Sequence, residues 1–271
     1  MSALSRLFAR FSGLFKRSAP VATRDTARKS DSRSGRSSRS RSAGSSGSAN
    51  GTSASGSSQP RRNLMGKATI QALPTFQGFE IDDIEVVQGE QAVAEACAVL
   101  RAAGTLGFDT ESRPTFKKGE APQGPHLVQL CTNQRAYLFP LRITMPAALR
   151  ELLADRSIRK VGFDLRSDLA LLDANFGLRC GGVEDLVPLF RRAGYRNTVG
   201  AVQAVAILFR QHYRKSKSAK MSNWAAAQLN DSQQRYAAND AYVALRAYQA
   251  LRERARRPAA TEAVADSAVN K

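Results

Sequence analysis

The sequence predicts an α/β domain of three layers, a five-stranded mixed sheet flanked by helices, and three observations carry that prediction. Apolar runs of strand length come first and follow one another closely, with turn residues between them. Strand-like and helix-like segments then alternate. Helical patterning closes the chain and ends in one long amphipathic helix, so helices are available to cover both faces of a sheet.

Each element has its own signal. Gln91 to Ala103 reads as a helix stopped by Gly104. Thr105 to Thr110, Leu127 to Thr132 and Ala136 to Leu141 read as three consecutive antiparallel strands. A short helix follows Pro146, whose fixed φ suits a first turn. Lys160 to Leu165 is a fourth strand, Asp168 to Phe176 a helix stopped by Gly177, and Val183 to Phe190 a fifth strand. Val199 to Arg210 and about Ser232 to Arg254 are helical, and Asp231 with Gln234 forms a capping box for the last one. The globular stretch is therefore 67–256, and 257–271 is a small polar tail.

Ahead of this domain the composition changes. The chain carries 41 basic against 23 acidic residues, a net charge of +18, which draws it toward polyanions. Residues 1–66 hold thirteen of the basic residues and only Asp25 and Asp31 as acids. Residues 18–66 are Ser, Arg, Gly and Ala with almost no large apolar side chain, a composition that cannot offset its ordering entropy and is expected to be disordered. Within residues 1–17, Leu4, Leu7, Phe8, Phe11, Leu14 and Phe15 recur at helical spacing opposite Arg6, Arg10 and Arg17. This basic amphipathic helix suits a mitochondrial-type presequence, or contact of residues 4–17 with a membrane or import machinery, or no dedicated role. Arginines among its apolar residues argue against a secretory signal. No apolar run is long enough to span a bilayer. Cys97, Cys131 and Cys180 are odd in number and widely spaced, which argues against a disulfide framework or a cysteine zinc site. The expected location is intracellular, cytoplasmic if bacterial, with mitochondrial or membrane association as the alternative.

Three segments carry candidate chemistry. Asp109 and Glu111 end the strand G-F-D-T-E at i and i+2, on one face. Two carboxylates so placed repel each other, harmlessly at a solvated strand end but at a cost in a buried one unless a cation lies between them. Asp168 follows the strand K-V-G-F-D-L and opens a helix, where an N-cap role competes with a ligand role; Asp164 is its rival. Tyr236 and Asp240, at i and i+4 in Q-R-Y-A-A-N-D-A-Y, put a phenol and a carboxylate on one helix face among small alanines. No Lys or Arg on that face is placed to pair with Asp240, so an amphipathic helix with a tolerated Asp is the weaker reading.

Together these segments resemble the DEDD superfamily of 3′→5′ exonucleases in its tyrosine-bearing branch. The motifs are the D-x-E of Asp109 and Glu111, the strand-then-helix Asp168, and the Y-x-x-x-D of Tyr236 and Asp240. The stretches G-F-D-T-E-S-R-P-T-F-K-K-G, L-V-Q-L-C, A-Y-L-F-P-L and S-N-W (Ser222 to Trp224) are similar in wording to the subgroup of the Werner-syndrome helicase exonuclease domain, with ribonuclease D more distant. After Trp224 the chain departs from the usual wording, reading W-A-A-A-Q-L.

The resemblance implies a ribonuclease H-like fold and a two-metal-ion hydrolase that releases 5′-mononucleotides from the 3′ end of nucleic acid, DNA more than RNA. It implies two divalent cations, Mg²⁺ or Mn²⁺, on Asp109, Glu111, Asp168 and Asp240, with Tyr236 orienting the attacking water. Phosphate contacts are expected from Lys117 and Lys118 after the first strand and from the basic run before Trp224, namely Arg214, Lys215, Lys217 and Lys220. Such a run is also the ordinary composition of a solvated loop. Tyr213 and Trp224 are candidates to stack on bases, with core packing the competing fate of Trp224. His126 and His212 have no metal-like spacing. The rival from another class is a nucleic-acid-binding adaptor without catalysis, which a missing acid would favour; all four acids are present.

Overall fold

The computed structural model describes residues 62–115 and 123–256. The amphipathic segment 1–17, most of the Ser/Arg-rich stretch, Lys117, Lys118 and the tail 257–271 lie outside the described residues. Folded contacts begin ahead of residue 67: the Arg62 N–H donates to Gly194 O, and the Met65 backbone exchanges hydrogen bonds with the Gln203 amide.

The elements are α1 (Lys67–Gln71), a 3₁₀ turn (Ile81–Asp83), β1 (Ile84–Val86), α2 (Glu90–Ala103), β2 (Thr105–Glu111), β3 (Leu127–Cys131), β4 (Ala136–Pro140) and α3 (Ala147–Ala154). They continue as β5 (Arg159–Gly162), α4 (Arg166–Phe176), β6 (Val183–Asp185), α5 (Leu186–Arg192), α6 (Ala201–Phe209), α7 (Lys217–Lys220) and α8 (Asp231–Arg256). The sheet has the order β1-β4-β3-β2-β5-β6. β2, β3 and β4 form the expected antiparallel meander; β5 and β6 extend it in parallel from β2, and β1 runs parallel to β4. The three-layer α/β reading holds, with six strands in place of five. The extra strand, β1, spans three residues at the edge, too short to show an alternation.

Strand alternation divides the core in two. Leu106, Phe108, Val128 and Leu130 face α2, α3 and α4, meeting Val93, Leu100, Leu149, Leu152 and Leu172. Leu127, Cys131, Leu138 and Val161 face α8, whose Ala237, Ala238, Ala241 and Ala244 form the packing stripe. Small side chains bring that helix onto the sheet. At Gly107 a Cβ would lie 2.1 Å from the Ala241 carbonyl oxygen and 2.6 Å from Cys131 Sγ, so β2 and α8 touch backbone to backbone there. This proximity places the α8 side chains against the end of β2.

Most element ends lie within one or two residues of the sequence reading, α4 for instance starting at Arg166 rather than Asp168, and three differences have a local reason. The fifth strand stops at Asp185, because the Asp185 carboxylate accepts from Val187 N at 2.9 Å and starts α5; Pro188 falls in that first turn, where a missing N–H costs little. The fourth strand stops at Gly162, and Asp164 takes φ +53° at the bend into α4. The last helix is capped one residue earlier than Asp231. Asn230 Oδ1 accepts from Gln233 N at 3.0 Å, while Gln233 Oε1 accepts from Asn230 N at 3.1 Å, a reciprocal box in which Asn replaces Asp. Gly104 and Gly177 end α2 and α4 in the left-handed region, as expected.

Candidate active site

β2 delivers two acids to the α8 side of the sheet. Asp109 and Glu111 alternate with the inward Phe108 and Thr110, and α8 presents Asp240 against them. One oxygen from each of Asp109, Glu111 and Asp240 falls within 4.8 Å of the other two. Asp240 is 5% exposed, and the two β2 acids are half-buried.

Asp168 reaches the cluster from the first turn of α4. Its carboxylate accepts a hydrogen bond from Thr110 Oγ1, which ties α4 to β2, and its charge is felt at Asp109. It stands outside the tight trio. Its rival Asp164 is exposed, and the Asp164 N–H is held by the Asp185 carboxylate at 3.1 Å. Tyr236 lies one turn before Asp240 on α8 and is buried, with the Trp224 ring 5.9 Å from its own. Ser222 accepts from Gln233 Nε2 at 3.0 Å, so the S-N-W segment is fastened to α8 and braces Tyr236.

The electrostatics of the cluster are those of acids held too close together. Burial, then the charges of Asp240 and Asp168, push the Asp109 carboxyl well above its usual range. Burial, then Asp109 and Asp240, push Glu111 up to about 9. Asp168 is raised by burial, with its Thr110 hydrogen bond opposing. Tyr236 is raised by burial and then by Asp240, Glu111 and Asp109, so its phenol keeps its proton at neutral pH and serves as a donor. The donor set is all hard oxygen, and its excess negative charge is what a divalent cation would relieve. These residues fit Mg²⁺ or Mn²⁺.

Several residues at the site carried no signal in the sequence, or a different one. Tyr213, a candidate for base stacking, is buried and donates its hydroxyl proton to Asp240 Oδ1 at 2.8 Å; burial and the Asp240 charge raise its own pKa. Trp224 is likewise buried, so neither ring offers a free face to a base. Lys215, grouped by sequence with the phosphate contacts, places Nζ 2.6 Å from Asp240 Oδ2 and 5.1 Å from the centre of the Tyr236 ring. Gln129 is fully buried on β3 in register with Asp109. The remaining basic candidates Arg214, Lys217 and Lys220 are exposed; the last two lie on α7, whose N-cap Ser216 accepts from Ala219 N. A cavity of about 350 Å³ beside Tyr236 is lined by Tyr213, Arg214, Ser216, Ser232, Arg235 and Asn239. A hydroxyl or amide gives no periodic signal, so only the fold could have picked out Gln129 and the bond of Tyr213 to Asp240.

Residues 84–256 match the family model described as 3′-5′ exonuclease. The chain is 29% identical over 151 residues to a 3′-5′ exonuclease of Arabidopsis thaliana, covering 55% of this chain and 52% of that protein. It is 30% identical over 150 residues to the bifunctional 3′-5′ exonuclease/ATP-dependent helicase WRN of Mus musculus, covering 54% of this chain and 11% of that protein. It thus spans about half the length of the plant relative and a tenth of the mouse one. Among solved structures it is similar to Escherichia coli RNase D, an exoribonuclease involved in structured RNA processing. That likeness has 25% identity and a TM-score of 0.55, and covers 63% of this chain and 44% of that one. The matched span contains every element of the sheet and all five candidate residues, and the chain belongs to the 3′-5′ exonuclease family.

Proposed function

We propose that the protein is a metal-dependent 3′→5′ exonuclease of the tyrosine-bearing branch, which hydrolyses nucleic acid from its 3′ end and releases 5′-mononucleotides. The convergence of Asp109, Glu111 and Asp240 within 4.8 Å, in a chain of this family, carries the proposal. These three residues and Asp168 would hold two divalent cations, Mg²⁺ or Mn²⁺. Bound there, the cations supply an activated water and a sink for charge on the departing 3′ oxygen.

The side chains divide the remaining work. Asp109 is central, since both Asp240 and Asp168 act on it electrically. Thr110 fixes the Asp168 carboxylate, and Tyr213 fixes that of Asp240. The protonated Tyr236 phenol donates a hydrogen bond that orients the attacking water. Arg214, on the wall of the cavity beside Tyr236, and Lys217 and Lys220 on α7 are exposed cations that would take up phosphates without reading sequence. Lys117 and Lys118 are proposed for the same duty on sequence grounds.

DNA is the substrate we favour, on the resemblance to the helicase-linked exonucleases. The likeness to the exoribonuclease RNase D supports RNA as the second reading. The test is purified protein with 5′-labelled single-stranded DNA, RNA and recessed duplexes, in Mg²⁺, Mn²⁺ or EDTA. Shortening from the 3′ end that stops in EDTA and prefers DNA is expected. Cleavage by the metal-free protein, or shortening from the 5′ end, overturns the mechanism. Binding without cleavage supports the adaptor reading, and preference for RNA overturns only the substrate.

A further inference from the structure

Asp240 is claimed by two neighbours from one short segment. Tyr213 donates to Oδ1 at 2.8 Å and Lys215 places its ammonium 2.6 Å from Oδ2. The backbone that carries them is pinned at both ends. His212 N donates to Pro74 O at 2.7 Å and His212 O accepts from Phe76 N at 3.0 Å, while Ser216 caps α7. The segment is therefore fixed as a unit. Of the two side chains that reach Asp240, that of Lys215 has the freedom to move, being 33% exposed and set on a flexible four-carbon stem, whereas the Asp240 side chain is 4% exposed. The ammonium also lies over the Tyr236 ring at 5.1 Å, and its charge reaches Asp109 and Glu111. It is thus a positive charge set among the acids proposed to bind metal.

We infer that Lys215 is an internal cation of the site, neutralising Asp240 in the metal-free protein and competing with a divalent cation for Asp240 Oδ2. The inference rests on the reading of these acids as a metal site. With Oδ1 engaged by Tyr213, a metal approaching Asp240 meets the Lys215 ammonium on the other oxygen. Two cations a few ångströms apart repel, so metal entry requires the lysine to swing toward solvent while Tyr213 stays. The buried carboxylate is then never left without a positive partner, a state that would be strongly unfavourable. Lys215 is in this sense a positioning residue: it sets the affinity of the site for its metal and keeps the empty acids together.

Titration of full-length protein with Mn²⁺ by calorimetry and by electron paramagnetic resonance, without nucleic acid, tests this. Lys215→Met should bind Mn²⁺ about tenfold more tightly than the natural protein. It should melt at a lower temperature in EDTA and gain more from added Mn²⁺. Lys215→Arg keeps the charge and should keep the natural affinity; Lys215→Gln replaces the Met variant if that one does not fold. Equal or weaker Mn²⁺ binding by the folded neutral variants, or equal tightening by Arg and Met, overturns the role of Lys215 alone. Absence of Mn²⁺ binding in all the proteins overturns the metal site itself, and the inference with it.

Discussion

Gln129 stands directly across the β2–β3 ladder from Asp109, fully buried, and neither polar atom of its amide is bonded to another described residue. Directly paired residues share a face of the sheet, so the amide lies beside the acid cluster. An unsatisfied buried amide costs about 1–3 kcal/mol. Gln129→Met should therefore stabilise the metal-free protein, raising its melting temperature by about 2–4 °C per kcal/mol recovered. If the amide serves what binds at Asp109, the same variant should also turn over several times more slowly. Calorimetry and single-turnover assays read the two effects separately, and an unstabilised variant would show that Gln129 is satisfied in solution.

Asp109→Asn should lower turnover by at least about a thousandfold, the loss that ~4 kcal/mol of transition-state stabilisation produces. Its effect on stability has the opposite sign. Asp109 and Glu111 have raised pKa values in the folded state, so the folded protein binds protons more tightly than the unfolded chain. Metal-free stability must then fall as pH rises from the ordinary carboxylate range toward about 9, where Glu111 ionises. Denaturant melts in EDTA should show this decline in the natural protein and a flatter profile in the Asn variant.

Asp168→Ala should reduce turnover by about tenfold or more, while Asp164→Ala stays close to the natural rate. The expectation follows from burial and partnership: Asp168 is half-buried and held by Thr110, and Asp164 is exposed at a bend. Thr110→Val, which loses only the hydrogen bond, should fall between the two. Steady-state kinetics on one short strand decide the order, and the reverse ranking would move the second acid of the site to Asp164.

Lys160 gives a pH dependence outside the site. It is fully buried on β5, donates to Asp155 O at 2.6 Å and Leu152 O at 3.3 Å, and burial lowers its pKa to about 8. Between pH 8 and about 10.4 the unfolded chain keeps a proton that the folded protein releases, so this residue adds stability as pH rises through that window. The gain is on the order of 3 kcal/mol. Lys160→Met should abolish it, and the difference between the two stability curves measures it free of other titrating groups.

Deleting residues 1–61 should weaken binding to long strands and flatten its salt dependence, by roughly one counterion for each phosphate that the basic tail would otherwise neutralise. Turnover on short strands at low salt should hardly change. Cutting instead at residue 66 also removes the Arg62–Gly194 and Met65–Gln203 hydrogen bonds and the packing of Leu64, and should lower the melting temperature further. Matched thermal melts of the two truncations separate charge from packing.

What the sequence determined is what one stretch of chain decides alone. A strand alternates every two residues, so Asp109 and Glu111 share a face whatever surrounds them. A helix returns after four, so Tyr236 and Asp240 share a face too. Gly104 and Gly177 end helices because they accept the left-handed region, and the alanines of α8 announce a close approach to the sheet. Tertiary structure decided what depends on partners distant in sequence. Asp185 folds back on Asp164 and Leu165 and turns an apolar run into a short strand and a helix. Tyr213 and Lys215, which read as surface residues of a basic run, turn inward because Asp240 lies buried beside them and needs a proton donor and a counter-charge. Local periodicity fixes which side chains share a face of one element; which of them meet across elements follows from packing, which no single stretch encodes.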